Sequence, residues 1–375
     1  METTTVRVSE PRELLALVPH RLGFRPRDSA VAVSLRPPRG EVGLVVRVDL
    51  PDLAHREHGP ALARRLLSYL GRDDAARGVL VVYTDHDPRA EEGGPAHRAA
   101  EHFRDAAEAS LGEVPVWVVT STGYLSLSWA LTYCPAGGRP LRDLDSTQVG
   151  ARLVLAGSAV ADSREEIARI RPAAGERRRA VARARRRWEA RRLEALADGA
   201  PAVAAWRGAS IGAWRTLVDR VSAGDGSGAR MPWGRVEAGL ADRRVRDAVL
   251  VTLVPGTADL AERSVRQATS AADIEAALGA AMARIIDPAR AVVPPEPATA
   301  VHEAALEGVV AHGRSGVQAP ALTLLALLAW WRGDGARALI LLDGALGAEP
   351  GYRLAALIDD ALAAGIPPGW VRRPE

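Results

Sequence analysis

Four side chains that could bind a divalent cation or move a proton follow two apolar, β-branched stretches. Asp49 ends one stretch, and Asp85, His86 and Asp87 follow another. Carboxylate oxygens are the ligands that Mg²⁺ prefers, and a histidine beside them can act as a general base. If both stretches are strands that end at the same edge of a sheet, these side chains predict a metal-dependent site for phosphate chemistry. The alternative interpretation is a polar turn in which Pro88 and the acidic residues cap the next helix.

A second group is a dense run of arginines between residues 176 and 197. The run contains Arg177, Arg178, Arg179, Arg183, Arg185, Arg186, Arg187, Arg191 and Arg192. Its few apolar residues give only a narrow stripe, which predicts a largely solvated helix. One interpretation is a solvated connector between two halves of the chain, with Glu176, Glu189 and Glu194 as ion-pair partners. The other is a surface for nucleic-acid phosphates or an acidic protein, with Arg177, Arg178, Arg179, Arg183, Arg186 and Arg187 as its candidates.

Three further arginines surround the first predicted strands. Arg47 lies one pleat from Asp49, on the same face of the strand. The spacing predicts an ion pair or a helix cap there. A cleft that binds an anion with Arg25, Arg27 and Arg47 is the alternative.

The histidines and the one cysteine give weaker signals. His55 and His58 have the spacing of paired ligands on one helix face, but no carboxylate or thiol set completes a site, so we expect surface histidines. His97 and His102 are five residues apart and do not share a face. Cys134 has no histidine near it in sequence, and a catalytic thiol would need a base and a positive environment. These histidines and the cysteine therefore predict no metal centre, and the sequence leaves any cofactor unassigned.

The composition is that of an ordinary soluble protein. Hydrophobic residues make up 47% of the chain and charged residues 25%, with a net charge of only +3. There is no lysine and no asparagine, so all 49 basic residues are arginine, which favours a GC-rich genome over selection for phosphate binding. The amino terminus has no basic and apolar leader, and the longest apolar run, 319–331, is too short to cross a bilayer. We expect a cytoplasmic protein without membrane contact, and the sequence gives no indication of its oligomeric state.

Five predicted strands, separated by predicted helices, lie in the first part of the chain. The strands are 30–35, 42–50, 78–84, 114–120 and 124–129, and the helices are 9–23, 56–70 and 95–111. The Pro-Pro-Arg-Gly sequence at 37–40 joins the first two strands in an antiparallel hairpin, and we expect the later strands to be parallel. No glycine-rich nucleotide motif follows any of these strands, so the sequence supports neither a Rossmann nor a P-loop domain.

After residue 146 the strand pattern ends and helical patterns follow, at 146–160, 163–170, 176–197 and beyond. The predicted fold is an α/β N-terminal domain with a mixed sheet, 1–160, followed by an all-α C-terminal domain, 161–375, with helix 176–197 as the connector.

The C-terminal domain is predicted to end in a tetratricopeptide-like helical hairpin. Ala338, Leu342, Ala345 and Pro350 have the spacing of the second helix of such a repeat, and Leu322, Leu325, Ala326 and Ala329 that of the first. The pattern fails 34 residues earlier, and a single unit must pack on its neighbours. It is therefore either an ordinary hairpin or part of a surface that binds proteins.

Five segments carry a resemblance to a known family. They are Leu-Gly-Phe-Arg-Pro-Arg-Asp-Ser at 22–29, Arg-Val-Asp-Leu-Pro at 47–51, Cys-Pro-Ala-Gly-Gly-Arg-Pro-Leu at 134–141, Ala-Asp-Ser-Arg-Glu at 161–165, and 325–368. In this order they resemble an actinobacterial family described as domain of unknown function 4192. The resemblance implies no activity, cofactor or catalytic residue.

The features together favour a non-enzymatic protein that acts through contacts with other proteins. The alternatives are the metal-dependent enzyme of the acidic cluster and a nucleic-acid accessory protein that uses the arginine-rich helix.

Overall fold

The computed structural model describes residues 10–88, 93–127, 138–155, 157–225, 232–266 and 271–372. Its contacts divide the chain into two compact units, Met1–Ile167 and Ala168–Glu375. The first unit contains a mixed β-sheet with helices, and the described part of the second is helical. The predicted fold class, an α/β domain followed by an all-α domain, is confirmed.

The first unit alternates helices and strands. In chain order its elements are α1 (Pro11–Leu22), β1 (Ser29–Arg36), β2 (Glu41–Asp49), α2 (Leu50–Leu53), α3 (Gly59–Arg72), β3 (Arg77–Tyr83), α4 (Pro95–Leu111), β4 (Val116–Val119), β5 (Gly123–Ser126), β6 (Arg139–Pro140), α5 (Arg142–Asp145), α6 (Gln148–Leu155) and α7 (Arg164–Ile167). The strands form one sheet in the order β2-β1-β3-β4-β5-β6.

The strand directions agree only in part with the prediction. The hairpin β1–β2 is antiparallel, and β3 and β4 are parallel, as expected. The expectation of parallel pairing is wrong for β4–β5, which is antiparallel. The short strand β6, which the sequence did not predict, also pairs antiparallel with β5. The reason lies in the connections. A parallel pair needs a long crossover, and α4 provides one between β3 and β4, whereas only three residues join β4 to β5.

Both faces of the central strands are buried. Ala30 and Ala32 of β1 pack with Leu80 of β3 in one apolar cluster that includes residues of α2, α3 and α4. The alternate residues Val31 and Val33 are also fully buried. This two-sided burial explains why β1 and β3 have nearly continuous apolar sequences.

The second unit is a succession of helices. They are α8 (Gly175–Asp198), α9 (Ala200–Ser222), α10 (Trp233–Leu240), α11 (Arg243–Leu253), α12 (Leu260–Val265), α13 (Ala271–Ile286), α14 (Ala298–His312), α15 (Ala319–Trp331), α16 (Gly335–Ala348) and α17 (Arg353–Ala363), followed by a 3-10 turn at Gly369–Arg372. None of the described helices combines the length and the apolar character that crossing a bilayer requires.

Two predicted helices are shorter than their patterns suggest. The helix expected at 146–160 is α6 and ends at Leu155, because Gly157 adopts a left-handed conformation with φ of 84°. The helix expected at 163–170 is the single turn α7, which ends well before Pro172.

The predicted C-terminal hairpin is present as α15 and α16. Ala338, Leu342 and Ala345 are buried on α16, as the repeat spacing requires. In α15 every residue except Leu322 is buried. A helix enclosed on nearly all sides has no free face for a partner, so this hairpin belongs to the core of the helical unit.

Candidate functional site

The ends of three strands meet at one edge of the sheet. Because β1 is antiparallel to both neighbours, Ser29 lies opposite Asp49 at the end of β2 and opposite Tyr83 at the end of β3. Val119 at the end of β4 lies beside Tyr83. The stretches before Asp49 and Asp85 therefore end at the same edge, which is the condition that the predicted acidic site requires.

Asp49 forms an ion pair with Arg47 at this edge. The Nη2 atom of Arg47 donates to its Oδ1 at 2.6 Å, and Nε of Arg47 donates to the hydroxyl of Ser29 at 2.9 Å. The ion pair predicted for Arg47 is thus confirmed. Arg25 and Arg27 are exposed.

The residues after β3 form an exposed turn. Asp85, His86 and Asp87 are exposed, and the backbone N–H of His86 donates to the hydroxyl of Thr84 at 3.2 Å. In the described part of the chain, no three His, Cys, Asp or Glu side chains come close enough together to hold a metal ion. The N-cap residue of α4 is Gly94, which has no side chain to cap the helix. The arrangement fits a solvated polar turn better than a metal site.

A cavity of about 830 Å³ opens at this edge of the sheet. Four parts of the chain line it: Asp28 before β1, α2 with the loop to α3, the turn after β3, and the first turn of α4. Of the candidates named from the sequence, His55, His86 and His97 line the cavity, whereas the predicted carboxylates do not. We call this space the edge cavity.

Sequence reasoning missed Asp28 and the start of α4 as parts of this site. Asp28 lines the edge cavity in a left-handed conformation, φ 41°, and its carbonyl accepts the N–H of Leu50 at 2.8 Å. The start of this helix at residue 95 was predicted, with Pro95 suited to its first position, but no local signal placed it beside Asp28.

Two side chains of α4 hold the wall of the edge cavity. His102 Nδ1 lies 2.8 Å from the carbonyl oxygen of Leu53 and donates to it. Arg98 donates from Nε to the carbonyl of Ala54 at 3.2 Å and from Nη1 to the carbonyl of Gly93 at 2.6 Å. These bonds fix the loop after α2 relative to α4, so the wall is in place before any ligand arrives.

The two neighbouring histidines lie in the turn before α3. The rings of His55 and His58 stack with centroids 4.7 Å apart. His55 Nδ1 accepts backbone N–H groups from Glu57 at 3.2 Å and from His58 at 3.4 Å. Because a backbone N–H can only donate, Nδ1 is the acceptor of these two bonds, which leaves Nε2 as the donor atom of the ring.

The arginine-rich helix α8 is fixed by its buried side. Val181, Trp188 and Ala195 belong to the apolar core of the helical unit. Arg185 is buried too, and it pairs with Glu189 at 2.8 Å and with Glu237 at 3.6 Å. Burial raises the pKa of the Glu237 carboxyl.

The structure separates the arginines of α8 into two groups. Arg178 is half-buried and donates to the carbonyl of Gly313 at 3.5 Å, and Arg192 lies 3.6 Å from Asp242. The other candidates are exposed and form no ion pair with any described residue: Arg177, Arg179, Arg183, Arg186 and Arg187. Cys134 lies outside the described residues, and the expectation about it stays a prediction.

A comparison with protein families gives one result. A family model described as "Domain of unknown function (DUF4192)" matches residues 11–369, so the chain belongs to this family. No curated protein and no solved structure matches the chain.

Proposed function

For a member of a family whose description assigns no activity, we propose that the protein is a non-enzymatic interaction protein. Its binding surface is the solvent-facing side of α8. The partner is another protein with an acidic, amphipathic segment.

A compact stripe of positive charge supports this proposal. Arg179, Arg183, Arg186 and Arg187 fall within a sector of about 100° on the helix, opposite its buried side. We call these four residues the arginine stripe. All four are exposed, and none is neutralised by a described carboxylate. Like charges three or four residues apart destabilise an isolated helix, so a partner that neutralises them has a favourable free energy to gain.

Two exposed leucines in the last turns of α8 favour a protein partner. Leu193 is 69% exposed and Leu196 is 53% exposed, both on the same helix. Water contact at two leucines is unfavourable, and a protein segment with apolar residues would bury them. A phosphate backbone would make use of the arginines alone. The combination of leucines with arginines favours a protein partner over a nucleic acid.

The test is a binding titration with two labelled probes. One is a synthetic helical peptide with glutamates on one face and leucines beside them, and the other is a single-stranded DNA of equal charge. We expect the peptide to bind with an affinity that falls as salt increases. Changing all four stripe residues, Arg179→Gln, Arg183→Gln, Arg186→Gln and Arg187→Gln, should weaken binding by about tenfold or more, or about 1.4 kcal/mol.

A matched variant changes the net charge equally elsewhere in the unit. Arg243, Arg244, Arg314 and Arg353 are exposed and form no ion pair with described residues. Their joint replacement by glutamine should leave the affinity for the peptide within about twofold of the wild-type value, a change of about 0.4 kcal/mol.

A variant that removes the leucines separates the two classes of partner. The double variant Leu193→Ser, Leu196→Ser should weaken the binding of the peptide and leave any affinity for the DNA unchanged. The proposal is wrong if the DNA binds more tightly than the peptide, which would indicate the nucleic-acid alternative, or if neither probe binds at low salt.

A further inference from the structure

The edge cavity has no part in the proposed contacts of α8. It lies where the chain leaves β2 and β3 and where α4 begins. In parallel α/β sheets, ligands bind at the edge where the strands end, and the parallel strands β3 and β4 both end here. A space of about 830 Å³ is within the range of small-molecule sites. From the groups that line it, we propose that the edge cavity binds a phosphomonoester whose body carries hydroxyl or amino groups.

The place for the phosphate is the first turn of α4. Ala96 and His97 line the cavity, and their backbone N–H groups belong to the first turn of α4, where the helix itself supplies no acceptor. The helix has 17 residues, and the partial positive charge at its start favours an anion. Pro95, at the first helical position, has no backbone N–H, so the first donors of the helix are those of Ala96 and His97.

Side chains supply further donors around the same space. Arg56 is exposed on the lining, and its guanidinium is positive at all physiological pH values. His55 contributes an Nε2 donor, because its Nδ1 accepts two backbone N–H groups. His86 lies on the opposite segment, after β3. Donors thus come from three separate parts of the chain.

The lining also contains acceptors, and these decide what the rest of the ligand must be. Asp28 and Glu57 both line the edge cavity. They would repel a ligand that is anionic throughout, such as inorganic phosphate or a polycarboxylate. A molecule with hydroxyl or amino donors at a distance from its phosphate can use them as acceptors. The apolar remainder of the wall, which includes Leu50, Pro51 and Ala54, suits a compact carbon framework.

Sugar phosphates and mononucleotides share this chemistry, and a set of probes separates them. We would titrate the full-length protein by calorimetry with adenosine monophosphate, ribose 5-phosphate, adenosine and inorganic phosphate. We expect one equivalent of a phosphomonoester to bind, and at least tenfold weaker binding of adenosine and of inorganic phosphate. Equal affinity for both phosphomonoesters would assign recognition to the sugar phosphate, and preference for adenosine monophosphate would add the base.

Two substitutions test the placement. Pro95→Asp puts a carboxylate at the first position of α4, where it suits the helix but occupies and repels the phosphate position. It should weaken phosphomonoester binding at least tenfold. Ala109→Asp adds the same charge at the exposed far end of α4 and should change binding less than twofold. Arg56→Gln should weaken binding severalfold, whereas Arg64→Gln, at an exposed position on α3, should not.

Circular dichroism of each variant verifies the fold. If Pro95→Asp does not fold, the comparison of Arg56→Gln with Arg64→Gln is the remaining test. The inference is overturned if no phosphomonoester binds up to millimolar concentration, if inorganic phosphate binds as tightly, or if Pro95→Asp and Ala109→Asp have equal effects in folded proteins. Loss of peptide binding to α8 would leave these results unchanged, so the two proposals fail separately.

Discussion

The indole N–H of Trp188 donates a hydrogen bond to the hydroxyl of Ser210 at 3.0 Å, inside the helical unit. The same hydroxyl donates to the carbonyl of Trp206 at 2.9 Å, and Trp206 donates its own indole N–H to the carbonyl of Trp188 at 3.1 Å. These bonds join α8 to α9 on the side of α8 that faces away from the arginine stripe. They hold α8 rigidly while its other face remains exposed.

Ser210→Ala is expected to destabilise the helical unit by about 1–3 kcal/mol, because it leaves the buried N–H of Trp188 without an acceptor. Urea unfolding followed by tryptophan fluorescence measures the change, since most of the nine tryptophans lie in this unit. Ser222→Ala is the control, because Ser222 is exposed at the end of the same helix. An unchanged urea midpoint for Ser210→Ala would show that the network contributes nothing.

A carboxylate on α1 caps a helix much later in the chain. Glu13 is buried, and it accepts the N–H of Val149 at 3.0 Å and that of Gln148 at 3.3 Å. Glu13→Ala should lower the free energy of unfolding by about 1–2 kcal/mol, as the loss of a helix cap does. Glu13→Gln keeps one acceptor oxygen and should cost less. Hydrogen exchange at the Val149 amide should accelerate most in Glu13→Ala, and Glu10→Gln, at an exposed position, should leave it unchanged.

Local sequence was sufficient to predict the elements of the sheet but not their order. The apolar runs of β1 and β3 indicate buried strands because both of their faces are covered. Nothing local indicates that β1 lies between β2 and β3, with Ser29 opposite both Asp49 and Tyr83. That arrangement depends on contacts between residues far apart in the chain, and it is what places the edge cavity.

The same limit applies to the arginines of α8. From the sequence, Arg178 and Arg179 are equivalent neighbours, and both are binding candidates. In the structure Arg178 is half-buried and donates to the carbonyl of Gly313, which follows α14, and Arg179 is exposed. The sequence predicted a solvated basic helix. Only the tertiary partners decide which arginines remain available to another molecule.

Gly59 permits a close contact at the wall of the edge cavity. A Cβ atom at this position would lie 2.3 Å from the carbonyl oxygen of Leu53 and 2.4 Å from Nδ1 of His102. Gly59→Ala should therefore separate α2 from α4 and lower the free energy of unfolding by about 1–3 kcal/mol. It should also weaken the binding of any ligand in the edge cavity.

Gly71, in the same helix, is the matched control for Gly59. A Cβ there would have no neighbour within 4 Å. Gly71→Ala should raise the free energy of unfolding by up to about 1 kcal/mol, because alanine has less freedom to lose on folding. Thermal unfolding of both variants measures the two effects. Equal melting temperatures would contradict the close contact at Gly59.

His302 makes the stability of the helical unit depend on pH. Burial, with a smaller contribution from the charge of Arg215, lowers the pKa of His302 to about 4. Its ring stacks on Trp214 with centroids 5.9 Å apart. Between pH 6.5 and 4 the unfolded chain holds a proton that the folded chain excludes. The free energy of unfolding should therefore be highest above pH 6.5 and fall as the pH drops, by up to about 3 kcal/mol at pH 4.

His302→Phe keeps a ring against Trp214 and removes the proton. Buried carboxyls such as Glu237 and Asp334, whose pKa values are raised by burial, act in the opposite direction, but they are present in both proteins. The difference in free energy of unfolding between variant and wild type therefore isolates His302. Measured by urea unfolding at pH 7, 5.5 and 4.5, this difference should shift steadily in favour of the variant as the pH falls. A difference that stays constant over this range would show that His302 is protonated equally in the folded and unfolded chains.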